Sequence, residues 1–234
     1  MFQGKAGYSY ARQGTPTTTA LEAKVTAMEG GAGSVSFATG MAALAAIFTT
    51  LLRRGDHLVS SQFVFGNTNS LFATMTEMGV EISFVDATDT AQVEAACRPN
   101  TRMVFVETIA NPGTQVADLS SIGTLCQARK LVYVIDNTLT SPYLFRGATV
   151  GATLVMNSLS KYVGGHGNAL GGSVTDTGLY DWSAYPNIFD AYKKGAPTTW
   201  GLTQIKKKGL RDMGGTLAAE PAHRIAVGLS LIHI

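Results

Sequence analysis

The stretch NSLSKYVGGHGNALGG, Asn157 to Gly172, sets Lys161 among serine hydroxyls and ahead of a glycine run, directly after the apolar segment Thr153–Met156. Three other apolar segments end in chemically loaded residues: FATGMA at 37–42, VETIANP at 106–112 and VIDNTLTSPY at 134–143. An amine at a crowded strand end can be partly desolvated, which lowers its pKa and makes it nucleophilic toward an aldehyde. Pyridoxal phosphate carries such an aldehyde, and it needs an acid for its ring nitrogen and a cup for its phosphate. Asp136 is the candidate acid. The amides of Gly40 and Met41 at a helix start, with the hydroxyls of Ser158 and Ser160, are the candidate cup.

Competing chemistries lose on spacing. Ser158-Leu-Ser-Lys161 matches S-x-x-K, but the companion S-D-N and K-T-G motifs of that serine chemistry are absent. No G-x-G-x-x-G follows the first predicted strand and no phosphate-loop lysine occurs, which removes the dinucleotide and nucleoside-triphosphate readings.

Positioning these residues requires a scaffold. Short β-branched runs at Ser34–Phe37, His57–Ser61, Glu81–Val85, Met103–Glu107, Val132–Asp136, Thr153–Met156 and Gly172–Thr175 read as strands. Between them, Thr17–Met28, Met41–Arg53, Thr68–Met78, Ala91–Cys97 and Leu119–Arg129 carry helical spacing. The alternation predicts an α/β fold with a mostly parallel, doubly wound sheet. Ligands of such sheets gather beyond the carboxyl ends of the strands, where the loaded residues stand.

Composition limits the alternatives. With 45% hydrophobic and 15% charged residues among 234, the chain can bury a core. Its 18 basic and 16 acidic residues nearly balance, and the one dense basic run, Lys206–Lys208, is too short for a nucleic-acid groove. No apolar run approaches the ~20 residues that span a bilayer, and the opening residues MFQGKAGYSYARQG do not read as a signal peptide. Cys97 and Cys126 lack metal-ligand spacing and read as buried free thiols of a cytoplasmic protein.

In order along the chain, YxRxxxPT, ATGMAA, ETxANP, DNTxxSPY, SxSKYxGGHxxxLGG and LRDxGGTL occur between about Tyr8 and Gly228. On these six motifs the sequence resembles the Cys/Met-metabolism (transsulfuration) family of pyridoxal-phosphate enzymes, which holds cystathionine γ-synthase, the cystathionine and methionine γ-lyases and the O-acylhomoserine sulfhydrylases. The resemblance implies a fold-type-I large domain with Lys161 as the Schiff-base lysine, Asp136 as pyridinium partner, and Gly40, Met41, Ser158 and Ser160 as phosphate binders. It further implies that Tyr10 and Arg12 reach the cofactor phosphate of a neighbouring subunit in a homo-oligomer with shared sites. Asn111 is implied near the cofactor's phenolic oxygen, with Glu107 behind it.

Where the family usually places a tyrosine on the cofactor ring, this chain has Phe65, which can stack but cannot transfer a proton. Proton work then falls to Lys161 or Tyr10. This change and the RDMGGTL segment favour γ-replacement on an O-acylated homoserine by a sulfur nucleophile over a γ-lyase acting on methionine or cystathionine; a non-catalytic cofactor-binding fragment is the reading from another class. Thr15 replaces the family's usual asparagine before Pro-Thr, which bears on the turn.

Other residues read as structural: His57 in a strand, His166 in a hydrogen-bonding role behind the site, His223 on a terminal helix, Phe72, Met75 and Met78 in the core, and Lys206–Lys208 on a solvated helix face. The aromatic stretch from Asp181 to Tyr192 reads as an interface or substrate-access loop. By the resemblance, residues 1–16 are a remnant of an N-terminal arm, 17–228 the cofactor-binding domain, and a smaller C-terminal domain, which would hold the arginine for the substrate carboxylate, is missing. The final LSLIHI is one reading frame of a transposase end sequence, CTG TCT CTT ATA CAC ATC, so residues 229–234 are expected to be a non-native tail.

Overall fold

A computed structural model describes residues 7–232. Its seven-stranded sheet runs β1 (Gly33–Phe37), β7 (Gly172–Asp176), β6 (Leu154–Asn157), β5 (Val132–Asp136), β4 (Thr101–Glu107), β2 (His57–Ser61) and β3 (Glu81–Val85). Every predicted strand is present. All neighbouring pairs are parallel except those of β7, which lies antiparallel to both β1 and β6.

The central strands are apolar on both sides, as a sheet covered on both faces requires. Alternation assigns the sides. Met103, Phe105, Val132, Val134, Leu154 and Met156 join one core cluster with α2 (Gly40–Leu51) and α3 (Gly66–Glu77), where Phe48 meets Phe72 and Phe105 at ring-centroid distances of 5.1 and 5.5 Å. Val104, Val106, Tyr133, Ile135 and Val155 join the other cluster with α4 (Thr90–Ala96) and α5 (Leu119–Arg129). Continued by one step, the same period puts Glu107 and Asp136 on the α2–α3 side. It puts Asn137 and Asn157 on the opposite side.

A third cluster joins α1 (Pro16–Glu29) and α8 (Ala219–Ile232) to Leu159 and Val163 of the lysine turn. Leu229, where the non-native tail was expected to begin, is buried in this cluster, and α8 continues to Ile232. His233 and Ile234, like residues 1–6 of the expected arm, lie outside the described residues.

Some expectations need correction. Met78 is 60% exposed, because the last turn of α3 carries it off the face that buries Phe72 and Met75. Trp182 and Tyr185 are buried in the α2–α3 core cluster, stacked edge-on at 5.4 Å, so that part of the aromatic stretch is core rather than an access loop. Of the basic run only Lys207 is exposed; Lys208 pairs with Asp212 at 3.1 Å within a π-helical segment, Ile205–Asp212, that continues α7 (Trp200–Gln204). Cys97 is half-buried, whereas Cys126 is buried.

Candidate active site

The carboxyl ends of β4, β5 and β6 open into a cleft of about 580 Å³ against the starts of α2 and α3. Nine residues singled out from the sequence line it: Gly40, Met41, Phe65, Glu107, Asn111, Asp136, Ser158, Ser160 and Lys161. Register explains the two acids, since Glu107 and Asp136 are paired across β4 and β5. Asp136 Oδ1 accepts from the Thr138 amide at 2.9 Å, and burial pushes this carboxyl up to about 6. Glu107 is pushed up to about 7, first by burial and then by the negative charge of Asp136.

Glu107 also organises the wall opposite. Phe65 stands before α3 without a side-chain cap, and its amide donates to Glu107 Oε1 at 2.6 Å. The Asn111 amide donates to Oε2 at 3.1 Å. One carboxyl therefore fixes both the aromatic wall and the asparagine.

The cup is built from α2 and the turn after β6. Thr39 caps α2 by accepting from the Ala42 amide at 3.0 Å, which leaves the first-turn amides of Gly40 and Met41 without intrahelical partners, as at any helix start. A Cβ on Gly40 would lie 2.8 Å from Ser158 Cβ and 3.2 Å from its Cα, so only glycine lets the helix start approach the serine turn this closely. Ser158 is anchored by its amide, which donates to Thr138 Oγ1 at 2.8 Å. The Ser160 hydroxyl accepts from the Gly171 amide at 2.9 Å.

Lys161 reaches the cleft as an exposed residue rather than the desolvated one that a crowded strand end predicts. The turn that closes with its amide donating to Ser158 O, at 3.1 Å, carries it past the end of β6. His166 is exposed beyond it, and His57 is buried in β2, bonded to Thr101 and Ser83 at 2.7 and 2.9 Å.

Tyr10 and Arg12 do not join the cleft. Arg12 lies over the Tyr10 ring at 5.1 Å, its guanidinium donates to the Arg211 carbonyl, and its own carbonyl accepts from Thr216 Oγ1 at 2.7 Å. Tyr10 is 53% exposed. Missed from the sequence were Thr138, whose amide and hydroxyl tie Asp136 to Ser158, and Thr68, a buried hydroxyl of the cleft wall. The DNT sequence pointed to the first; nothing in the periodicity separated the second from core.

The residues fit pyridoxal phosphate on an observation independent of motif: a helix start and a serine turn, held in contact by a glycine, face an acid pair and an amine across one cleft. The chain is 34% identical to an L-methionine gamma-lyase of Fusobacterium nucleatum subsp. polymorphum over 98% of its length, and 33% identical to an O-acetyl-L-homoserine sulfhydrylase of Corynebacterium glutamicum over 97%. It covers 54% and 56% of those proteins, and so spans about half the length of the curated relatives it matches. A Campylobacter jejuni structure that holds N'-pyridoxyl-lysine-5'-monophosphate superposes with a TM-score of 0.89 at 28% identity, over 98% of this chain and 60% of that one. Residues 1–234 match the family described as Cys/Met metabolism PLP-dependent enzymes, and the chain belongs to that family.

Proposed function

We propose that the chain is the cofactor-binding large domain of an enzyme that carries out γ-replacement on an O-acylated homoserine with a sulfur nucleophile, of the sulfhydrylase or cystathionine γ-synthase type. The convergence of an amine, two buried carboxyls, a helix start and a flat aromatic wall on one cleft supports it. When bound, pyridoxal phosphate supplies an aldehyde for covalent capture of amines and an electron-poor ring that accepts negative charge from a substrate carbon.

The chain's own residues supply the rest. Lys161 Nζ is the amine that would hold the cofactor and, once freed, carry protons. Asp136 holds the proton of the ring nitrogen, and a cation beside it would draw this buried carboxyl back to its ionised form. The amides of Gly40 and Met41, with Ser158 and Ser160, would hold the phosphate. Phe65 would supply the aromatic wall for the ring and Asn111 a polar group beside it, and Glu107 holds both residues in place through their amides.

In this reading the protein is a cytoplasmic homo-oligomer. Tyr10 and Arg12, turned away from their own cleft, serve a neighbour's cofactor phosphate, for which the arginine fork is suited. Mixing inactive Arg12→Ala subunits with inactive Lys161→Ala subunits should then restore activity, because one hybrid site escapes both defects. A mixture that stays inactive would return Arg12 to its own subunit.

The γ-lyase reading keeps one observation in its favour, the 34% identity to a methionine gamma-lyase. Supplying O-acylhomoserine with sulfide, with cysteine or with no thiol separates the two. Thioether or thiol product only in the thiol arms is expected; keto-acid release of similar rate without thiol would transfer the assignment to the lyases. A preparation that gains no colour with added cofactor would favour the non-catalytic fragment.

A further inference from the structure

Glu29, the last residue of α1, is wholly buried, and its carboxyl faces the Gly147 backbone. Its Oε1 accepts from Asn157 Nδ2 at 2.7 Å and from Asn137 Nδ2 at 3.1 Å. These asparagines are not arbitrary neighbours. Asn137 directly follows Asp136, the candidate ring-nitrogen acid, and Asn157 directly precedes Ser158, the start of the candidate phosphate and lysine turn.

The alternation of strands β5 and β6 sends Asn137 and Asn157 to the face opposite the cleft, and neither they nor Glu29 line it. Its effect must pass through the two strand ends. Those ends are already joined by one backbone bond, the Asn137 amide donating to the Met156 carbonyl at 2.8 Å, and by the Ser158 amide donating to the Thr138 side chain, Oγ1, at 2.8 Å. Asn137 is held further by donating to the Phe145 carbonyl at 2.8 Å and by accepting from Thr140 Oγ1. A single Glu29 oxygen shared by the two side-chain amides adds a second bridge between the strand end that carries the acid and the strand end that carries the cup and the amine.

We infer that Glu29 is a positioning residue that sets, from behind the sheet, the spacing between Asp136 and the Ser158–Lys161 turn. The inference rests on the function proposed above. A buried polar group in such a place costs stability unless it is used, and a bridge across two functional strand ends is a use that an apolar residue could not supply.

The test has two arms on the full chain. Hydrogen exchange of the cofactor-free protein reads the bridge directly: in Glu29→Met the amides of Asn137, Thr138 and Ser158 should exchange about tenfold faster, with β4 and the middle of β5 unchanged. Titration with pyridoxal phosphate, followed by borohydride trapping at Lys161, should show affinity weakened on the order of tenfold, as expected when buried donors lose their acceptor. Glu29→Gln, which keeps the accepting oxygen, should rescue both. Should Glu29→Met fail to fold, Glu29→Asp, one methylene shorter, should show the same two effects at smaller size.

Unchanged exchange at those amides together with unchanged cofactor affinity in Glu29→Met, or in Glu29→Asp where only that variant folds, would overturn the inference. So would a Glu29→Gln protein as impaired as Glu29→Met. A parent protein that traps no cofactor at Lys161 would instead overturn the proposed function, and the exchange arm would still show whether the bridge exists.

Discussion

Asp56 and Asp136 are both buried aspartates at the ends of sheet strands, and they are furnished in opposite ways. Asp56 stands just before β2, at the amino end of the sheet. Its oxygens accept from the Arg53 amide at 2.7 Å, Asn187 Nδ2 at 2.7 Å and Arg102 Nε at 3.1 Å. Asp136 closes β5 at the carboxyl end, accepts from the Thr138 amide, and has a second carboxyl, Glu107, as its register neighbour. None of the ion pairs among the described residues involves Asp136 or Glu107.

The difference teaches how to tell a structural carboxylate from a poised one. Asp56 is saturated by donors of its own chain. Asp136 and Glu107 are desolvated without a cation, which raises both and leaves them capacity for an incoming positive group.

The sharpest way to break the comparison starts with the amine that should make the cleft functional. Lys161→Ala should abolish covalent retention of pyridoxal phosphate after borohydride reduction. Peptide mass mapping that finds the label on another lysine would remove the cleft from the mechanism and leave Asp136 without its cation.

Next in size is the exchange of roles between the two aspartates. Asp136→Asn should lower turnover of the enzyme about 10–100-fold, the loss of one charge-assisted bond of about 1.5–3 kcal/mol, while cofactor still binds. Asp56→Ala should instead cost about 2–3 kcal/mol of folding stability in urea, because Arg102, Asn187 and the Arg53 amide lose their acceptor and the pair is partly screened. A larger stability loss in Asp136→Asn than in Asp56→Ala would invert the distinction.

The smallest effect is a pH dependence. In the unfolded chain both cleft carboxyls titrate near 4, whereas in the folded chain Asp136 titrates at about 6 and Glu107 at about 7. Between about pH 4 and pH 7 the folded state therefore holds the extra protons, and their contribution to stability is lost as pH rises. Asp136→Asn lacks one of these groups. Relative to the parent without cofactor, it should gain about 2 kcal/mol between pH 4.5 and pH 8. A difference that stays constant with pH would mean that Asp136 is as well supplied with donors as Asp56.

Much of this architecture was legible because its signals are local. Seven strands stand where short β-branched runs predicted them, and Gly40, Met41, Phe65, Glu107, Asp136 and Ser158 sit at strand ends or helix starts, where a folding rule and a motif coincide. What escaped was direction and depth. Met78 carries the same helical spacing as Met75 and Phe72, but α3 ends beneath it. Lys161 leaves its strand end through a turn and is exposed, a consequence of hydrogen bonds that no spacing announces.

Residue type and near-neighbour period were enough to give the strand and helix order, the family resemblance and the candidate amine, acid and cup. Only the tertiary structure decided that β7 runs against its neighbours, that Tyr10 and Arg12 turn from their own cleft toward Arg211 and Thr216, and that Glu29 meets Asn137 and Asn157 across 108 and 128 residues of chain. Contacts of that range leave no periodic trace, because their partners are chosen by the packing of helices onto the sheet. Read alone, Glu29 is a polar residue at a helix end; packed against the back of the sheet, it bridges the two strands that carry the candidate chemistry.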